Sequence, residues 1–119
     1  LNIQAMQEAS QYLVGTHDFK SFCAAKTQAQ TTVRTVTGIE VEAHPLSEGE
    51  YPSKKVIIRV TGEGFLYNMV RIISGTLIKV GLGVYPPEHV KQILEACDRS
   101  QAGETVPAKG LFLKKIEYL

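Results

Sequence analysis

Two consecutive segments with period-two alternation constrain the fold of this chain most. Over residues 33–43, valine, isoleucine and threonine alternate with arginine, glutamate and other residues, and over residues 55–61 valine or isoleucine stands at every second position. Such alternation is typical of strands with one buried face. Residues 44–54 are polar and contain Pro and Gly, which favours a loop. The two segments are therefore predicted to pair as an antiparallel hairpin with a long tip.

Segments with helical spacing flank this hairpin. Residues 2–14 repeat apolar side chains every three to four positions before Gly15, which is a natural stop for a helix. After the hairpin, glycines delimit a longer helical segment, and a Pro-Pro pair, tolerated in a first helical turn, starts another. The predicted elements in chain order are a helix over 2–14, strands over 33–43 and 55–61, helices over 65–80 and 86–97, and a strand over 111–118.

This α-β-β-α-α-β order predicts one α+β domain. The chain has 119 residues, of which 44% are hydrophobic, and this suits a single core without disulfides. We expect an antiparallel or mixed sheet with the helices packed on it. Residues 15–32 and 98–110 lack a clear period, so they are predicted to be irregular connections. A connection as long as residues 15–32 is often functional in a compact domain.

The helix predicted over residues 65–80 has an apolar face and an unusual opposite face. At about 100° per residue, its apolar side chains share one broad face, which we expect to lie in the core. The opposite face is neither strongly charged nor apolar, and it carries Tyr67, Asn68, Arg71, Ser74, Gly75 and Ile78. Gly75 costs about 1 kcal/mol inside a helix, which indicates that something approaches it closely. We predict a cleft floored by Gly75 and flanked by Tyr67 and Asn68. In this cleft Arg71 binds a phosphate or a carboxylate, although a surface arginine paired with a nearby acid explains the pattern equally well.

Composition argues against several classes of protein. The formal net charge is +1, so RNA binding requires a local arrangement of Lys and Arg rather than a strongly basic domain. No run approaches about 18 apolar residues, so no membrane span is expected. Cys23 and Cys97 are the only cysteines, and without CxxC spacing they are typical of small buried residues in a reducing cytosol. No metal site is predicted.

Four short motifs follow one another over nearly the whole chain. They are residues 13–22 (LVGTHDF and SF), residues 33–36 (VRTV), residues 64–77 (GFLYNMVR and GTL) and residues 98–113 (DRSQAG and PAKGLFL). In order and spacing they resemble the motifs in the C-terminal half of TruA-type tRNA pseudouridine synthases. Glu104 and Val106 stand where that family usually has Pro and Ala, which leaves the shape of the last loop open.

The resemblance implies an isomerase that acts on tRNA. In this family the glycosidic bond of a uridine is broken, and the base is turned and rejoined through carbon, in the anticodon stem-loop (positions 38–40). A catalytic Asp does the covalent work, and neither cofactor nor metal is needed. The family forms homodimers that bind tRNA across both subunits. We therefore expect tRNA and a second subunit as partners, and a cytoplasmic location.

The family's catalytic Asp is not found in this sequence. Its R-x-D-x-G-V-H-type loop is absent, since Asp18 and Asp98 are the only aspartates and have other neighbours. The family's active-site Tyr is also missing, and the chain starts without Met. We therefore expect residues 1–119 to be the C-terminal domain of a protein whose N-terminal domain supplies the Asp. This domain alone is then expected to be inactive.

The resemblance also assigns roles to residues that are present. Arg71 matches the motif arginine that pairs with the catalytic Asp and keeps it ionised and positioned. Leu111 matches the apolar residue that lines the uracil pocket, with Phe65 and Leu113 behind it. Tyr67 and Asn68 complete the predicted pocket. The candidates for tRNA phosphate contacts, each equally explained as a solvated surface charge, are Arg34, Lys20, Lys26 and Arg99.

Other interpretations stay open. His17 and Asp18 either orient the loop at the edge of the cleft or form a local hydrogen-bonded turn after Gly15. A stand-alone RNA-binding module without catalysis is the second hypothesis for the chain, although no RNP-type aromatic strand motif is present. A small-molecule enzyme is the third, and the lack of metal-ligand spacing and of a GxGxxG loop argues against it.

Overall fold

The computed structural model describes residues 1–24, 31–46 and 53–105 and shows an α+β fold. Its sheet is antiparallel, has the strand order β1-β2-β3, and packs with three helices around one core. The elements are α1 (Ile3–Gln11), β1 (Gly15–Asp18), β2 (Val33–Leu46), β3 (Ser53–Glu63), α2 (Met69–Gly81) and α3 (His89–Ala96), with 3₁₀ turns at Lys20–Phe22 and Arg99–Gln101. The predicted fold class is confirmed. The strand predicted over 111–118 lies outside the described residues.

Strands β2 and β3 form the predicted hairpin. They pair antiparallel, and both extend further into the predicted loop than the sequence indicated. The tip over residues 47–52 lies outside the described part of the chain. An irregularity between Val36 and Gly38 changes which side chains of β2 point inward. Val36 is fully buried whereas Val33 is 46% exposed, so the simple alternation read from the sequence fails before this irregularity.

Strand β1 corrects the prediction that residues 15–32 are irregular throughout. It pairs antiparallel with the start of β2, with Gly15 opposite Val36 and Asp18 opposite Val33. A run of four residues is too short to show a period. Its hydrogen-bond partner also comes from a separate segment, so only the tertiary fold makes it a strand.

One hydrophobic core joins the sheet and the helices. Its largest fully buried side chains are Phe19, Phe22, Met6, Leu13, Met69, Ile72, Ile73, Leu77, Ile93, Val36, Val80 and Val90. Helix α1 approaches α2 closely, because a Cβ placed on Gly81 would lie 2.7 Å from the sulfur of Met6. The backbone N–H of Asn2 also donates to the carbonyl of Gly81 at 2.9 Å. Within the described residues, no helix is long and apolar enough to cross a membrane.

Helices α2 and α3 begin later than predicted. Residues 65–68 are not helical because Gly64 and Asn68 adopt φ angles of 60° and 61°, which lie in the left-handed region. The end of α2 at Gly81 is close to the predicted one. Before α3, the carbonyl of Pro86 accepts the N–H of His89 at 3.0 Å, so the two prolines form a turn that precedes the helix.

Candidate functional site

A tight turn, here named the Gly64–Asn68 turn, leads from β3 into α2. Both of its ends are left-handed, a conformation that glycine and asparagine tolerate better than other residues. Leu66 is buried and anchors the turn in the core, and Phe65 is half-buried against the same core. Tyr67 is 74% exposed. The turn therefore presents a tyrosine to solvent immediately before the helix begins.

Arg71 lies in the first turn of α2 and contacts the Gly64–Asn68 turn. Its Nη1 donates a hydrogen bond to Oδ1 of Asn68 at 3.1 Å, and the residue is half-buried. The side chain of Asn68 makes no capping bond to the backbone of α2. Its amide oxygen instead accepts from the guanidinium of Arg71. The structure thus holds Asn68 and Arg71 together, next to the exposed Tyr67.

The middle of α2 does not form the predicted cleft. Ser74 and Gly75, expected on an accessible face, are buried. The backbone N–H of Gly103 donates to Oγ1 of Thr76 at 2.9 Å. A Cβ on Gly103 would lie 2.8 Å from the Cα of Thr76 and 3.0 Å from the carbonyl carbon of Gly75. The prediction of a cleft floored by Gly75 is therefore wrong, because the chain's own segment at Gly103 approaches the helix here.

Arg34 lies beside the Gly64–Asn68 turn. Its Nε donates to the carbonyl oxygen of Gly64 at 2.6 Å. Its Nη1 donates to the carbonyl oxygens of Thr31 at 2.8 Å and Val33 at 2.7 Å. The residue predicted to contact phosphate therefore has a half-buried side chain that binds backbone from two separate segments.

Two further candidates for phosphate contacts lie in the 3₁₀ turns. Lys20 begins the first turn and Arg99 the second, and the two turns pack against each other. Arg99 Nη2 donates to Oγ1 of Thr105 at 3.3 Å. Burial and the charge of Asp18 raise the pKa of the Cys23 thiol, whereas the charges of Lys20, Arg34 and Arg99 act to lower it. The charges of these three cations and of Asp18 therefore all act on one thiol. Lys26 lies outside the described residues.

His17 and Asp18 both make local contacts. His17 Nε2 lies 3.0 Å from the carbonyl oxygen of Val14, and its ring meets Phe19 edge-on with 5.8 Å between centroids. Oδ1 of Asp18 accepts the backbone N–H of Lys20 at 3.1 Å and a hydrogen bond from the hydroxyl of Thr32. These contacts favour the interpretation of a hydrogen-bonded structural turn.

The sequence did not predict the roles of two buried hydroxyls. Ser21 is fully buried, and its Oγ donates to the carbonyl of Ile93 at 2.7 Å and accepts the N–H of Asp98 at 2.8 Å. Thr76 plays the same part between α2 and Gly103. A serine beside Phe22 within an apolar motif is the only signal that could have suggested such a role.

The predicted pocket is described only in part. Phe65, Tyr67 and Asn68 belong to one turn, while Leu111 and Leu113 lie outside the described residues. Cys23 is buried and Cys97 half-buried, and both are free thiols. No group of three or more His, Cys, Asp or Glu side chains that could hold a metal ion occurs among the residues described.

Comparison with known proteins agrees with the motifs. The family model described as tRNA pseudouridine synthase matches residues 9–119. The chain is 50% identical over 118 residues to tRNA pseudouridine synthase A of Bacillus subtilis. The aligned segment includes 99% of this chain but only 44% of that relative. It is likewise 50% identical to the enzyme of Brevibacillus brevis, covering 45% of it, and 49% identical to tRNA pseudouridine synthase A 2 of Clostridium tetani, covering 44%. The chain thus spans less than half the length of these relatives, and it belongs to the tRNA pseudouridine synthase family, with the motifs of the TruA type.

Proposed function

We propose that the whole protein converts uridine to pseudouridine in the anticodon stem-loop (positions 38–40) of tRNA. The observation that supports this most is the 50% identity, over 99% of this chain, to a protein named tRNA pseudouridine synthase A. In this proposal residues 1–119 are the C-terminal domain and an N-terminal domain supplies the catalytic Asp. The protein acts as a homodimer in the cytoplasm and needs no cofactor.

Arg71 is proposed to hold the catalytic Asp of the N-terminal domain. A guanidinium presents parallel N–H donors that match a carboxylate, and its charge lowers the pKa of that carboxylate. Arg71 also lies within the first turn of α2, where the helix dipole favours a negative group. Asn68 supports this role, because its bond to Nη1 restricts the guanidinium before the Asp arrives.

The uracil pocket is proposed to lie beside Arg71. Phe65 contributes apolar surface from the Gly64–Asn68 turn, and the exposed ring of Tyr67 is available to stack on a nucleotide. By resemblance, Leu111 lines the pocket and Leu113 backs it. The target uridine must leave its stacked position to reach such a pocket, as is general for enzymes that act on a base.

Phosphate contacts are proposed for Lys20, Lys26 and Arg99. Lys20 and Arg99 belong to 3₁₀ turns that pack together, and both charges act on the Cys23 thiol. A net charge of +1 means that this local region, rather than the domain as a whole, attracts the RNA. Such contacts position the tRNA without reading its sequence.

A direct test incubates the full-length protein with a tRNA transcript that has uridines at positions 38–40. Pseudouridine at those positions is the expected product. The matched control is the same transcript with cytidine at the three positions, which should give none. Tight binding of both transcripts without any pseudouridine would instead support the stand-alone RNA-binding module.

A further inference from the structure

Arg34 uses its guanidinium on main-chain carbonyls. Three hydrogen bonds, at 2.6 to 2.8 Å, join it to the carbonyl oxygens of Gly64, Thr31 and Val33. A guanidinium has five N–H donors in a fixed planar arrangement. Three of them are therefore directed at backbone, so this arginine is a connector between β2 and the start of the Gly64–Asn68 turn.

Among the three carbonyls, that of Gly64 matters most for the position of the Gly64–Asn68 turn. Gly64 follows Glu63, which is the last residue of β3 and pairs with Thr35. Gly64 is left-handed, and a Cβ placed on it would lie 3.6 Å from Nε of Arg34 and 3.7 Å from its Cδ. The Arg34 side chain thus lies along the point where the chain leaves the sheet and turns toward Arg71.

The rest of the turn has restraints of its own, since Phe65 packs against the core and Asn68 accepts a hydrogen bond from Arg71. Leu66 is buried, Tyr67 is exposed, and Asn68 is the second residue of the turn with left-handed backbone. Left-handed backbone at a non-glycine residue carries a cost of about 1–3 kcal/mol and persists only where the surroundings enforce it. The hydrogen bond from Arg34 to the carbonyl of Gly64 restrains the first residue of the turn, and the bond from Arg71 to Asn68 restrains the last.

We propose that Arg34 is a positioning residue, which holds the Gly64–Asn68 turn and thereby sets the positions of Phe65, Tyr67 and Arg71. The proposal rests on the role proposed above for Arg71. It differs from the interpretation of Arg34 as a phosphate contact, because it assigns the guanidinium to the protein's own backbone. A lysine cannot take over, because a single ammonium on a flexible stem does not reproduce a planar array of donors.

The decisive variant is Arg34→Lys in the full-length protein, because it keeps the charge and removes the planar donors. Misplacing a reacting group by about 1 Å lowers a rate by ~100-fold. We expect the single-turnover rate at saturating tRNA to fall by ~10- to 100-fold, with the tRNA Kd and its salt dependence unchanged. A normal saturating rate would overturn the proposal. A higher Kd with a salt slope reduced by about one would instead show a phosphate contact.

Ser21→Ala is the matched control for a general loss of stability. Ser21 lies in the first 3₁₀ turn and bonds Ile93 and Asp98, neither of which belongs to the Gly64–Asn68 turn. Assayed well below its melting temperature, this variant should keep the wild-type rate at saturating tRNA. If it slows as much as Arg34→Lys does, the loss reflects stability and the proposal fails.

Hydrogen exchange gives a readout that needs no activity. The amides of Met69 and Ile72 donate to the carbonyls of Leu66 and Asn68 at 3.0 and 2.9 Å, so they report on the turn. In Arg34→Lys their exchange should become faster by at least tenfold, while exchange in α1 stays as in the wild type. Unchanged exchange at both amides would overturn the proposal. A wild-type protein that makes no pseudouridine would contradict the proposed function alone, because the exchange result still decides whether Arg34 holds the turn.

Discussion

Gly103→Ala is the substitution for which the structure gives the sharpest prediction. The added Cβ would lie 2.8 Å from the Cα and 2.9 Å from the N of Thr76, and 3.0 Å from the carbonyl carbon of Gly75. All three atoms belong to the backbone of α2, so no side-chain rotation relieves the contact. Either the segment at Gly103 moves away from the helix, or the helix deforms.

Both responses are destabilising. Moving the segment breaks the buried hydrogen bond from the N–H of Gly103 to Oγ1 of Thr76, and an unsatisfied buried donor costs about 1–3 kcal/mol. Keeping the segment in place overpacks the site at a similar cost of about 1–3 kcal/mol. Either route gives a loss of ~2 kcal/mol. A loss of 1 kcal/mol lowers the melting temperature of a protein of 150–250 residues by about 2–4 °C, so the expected decrease is about 4–8 °C, or slightly less in a longer protein.

The assay is thermal melting of the full-length protein, with Gly38→Ala as the matched control. Gly38 lies in β2, is not left-handed, and has no atom within 4 Å of an added Cβ. Its substitution should stabilise the protein by ~0.4–1 kcal/mol, because alanine restricts the unfolded chain. Adding Thr76→Ser to Gly103→Ala should give no rescue, since the clash is with backbone. A Gly103→Ala protein that melts with or above the wild type would refute the described packing.

Four further predictions follow from the described contacts. Arg71→Ala in the full-length protein should abolish pseudouridine formation, and Arg71→Lys should restore it poorly. Both variants should melt within a few degrees of the wild type. Near-normal turnover of Arg71→Ala would show that Arg71 is structural. Ser21→Ala should lower the free energy of unfolding by about 1–3 kcal/mol in urea, because it removes the hydrogen-bond partner of the buried carbonyl of Ile93 and of the partly buried N–H of Asp98. An unchanged midpoint would contradict this. Hydrogen bonds from Ser100 lower the pKa of Asp98 in the folded protein. The stability that they add is present above the pKa of Asp98 in the unfolded chain and is lost as the pH falls through its lower pKa in the folded protein. Asp98→Asn should therefore flatten that part of the titration of stability with acid, and an unchanged titration would show that Asp98 adds no such stability. Residues 1–119 alone should form no pseudouridine and should bind tRNA weakly, with an affinity that falls steeply with salt; turnover by this chain would show that the nucleophile lies within it.

The sequence predicted the larger elements because each contains its own signal. The alternation of Val56, Ile58 and Val60 identified β3, and helical spacing identified α1 and α2. The boundaries were less accurate. The helix pattern extended back over Phe65 and Leu66 because both are apolar, while the left-handed Asn68 that breaks the helix has no period.

At the candidate site too, the sequence predicted one part and not another. The motif containing Arg71 was recognisable from its residues, and the family match over residues 9–119 agrees with it. The environment of the site was not recognisable. Gly75 indicated a close approach, but the chain alone does not say whether a ligand or another segment approaches. The structure shows that the segment at Gly103 lies there.

By itself, the sequence determined the α+β class, the β2–β3 hairpin and the family, because alternation, helical spacing and ordered motifs are local properties of the chain. Only the tertiary structure decided that Gly15–Asp18 is a strand and that Gly103 covers α2. It alone also showed that Arg34 binds the carbonyl of Gly64. Each of these depends on atoms from distant segments that meet only when the core forms. A hydrogen bond between such segments leaves no pattern in either segment alone.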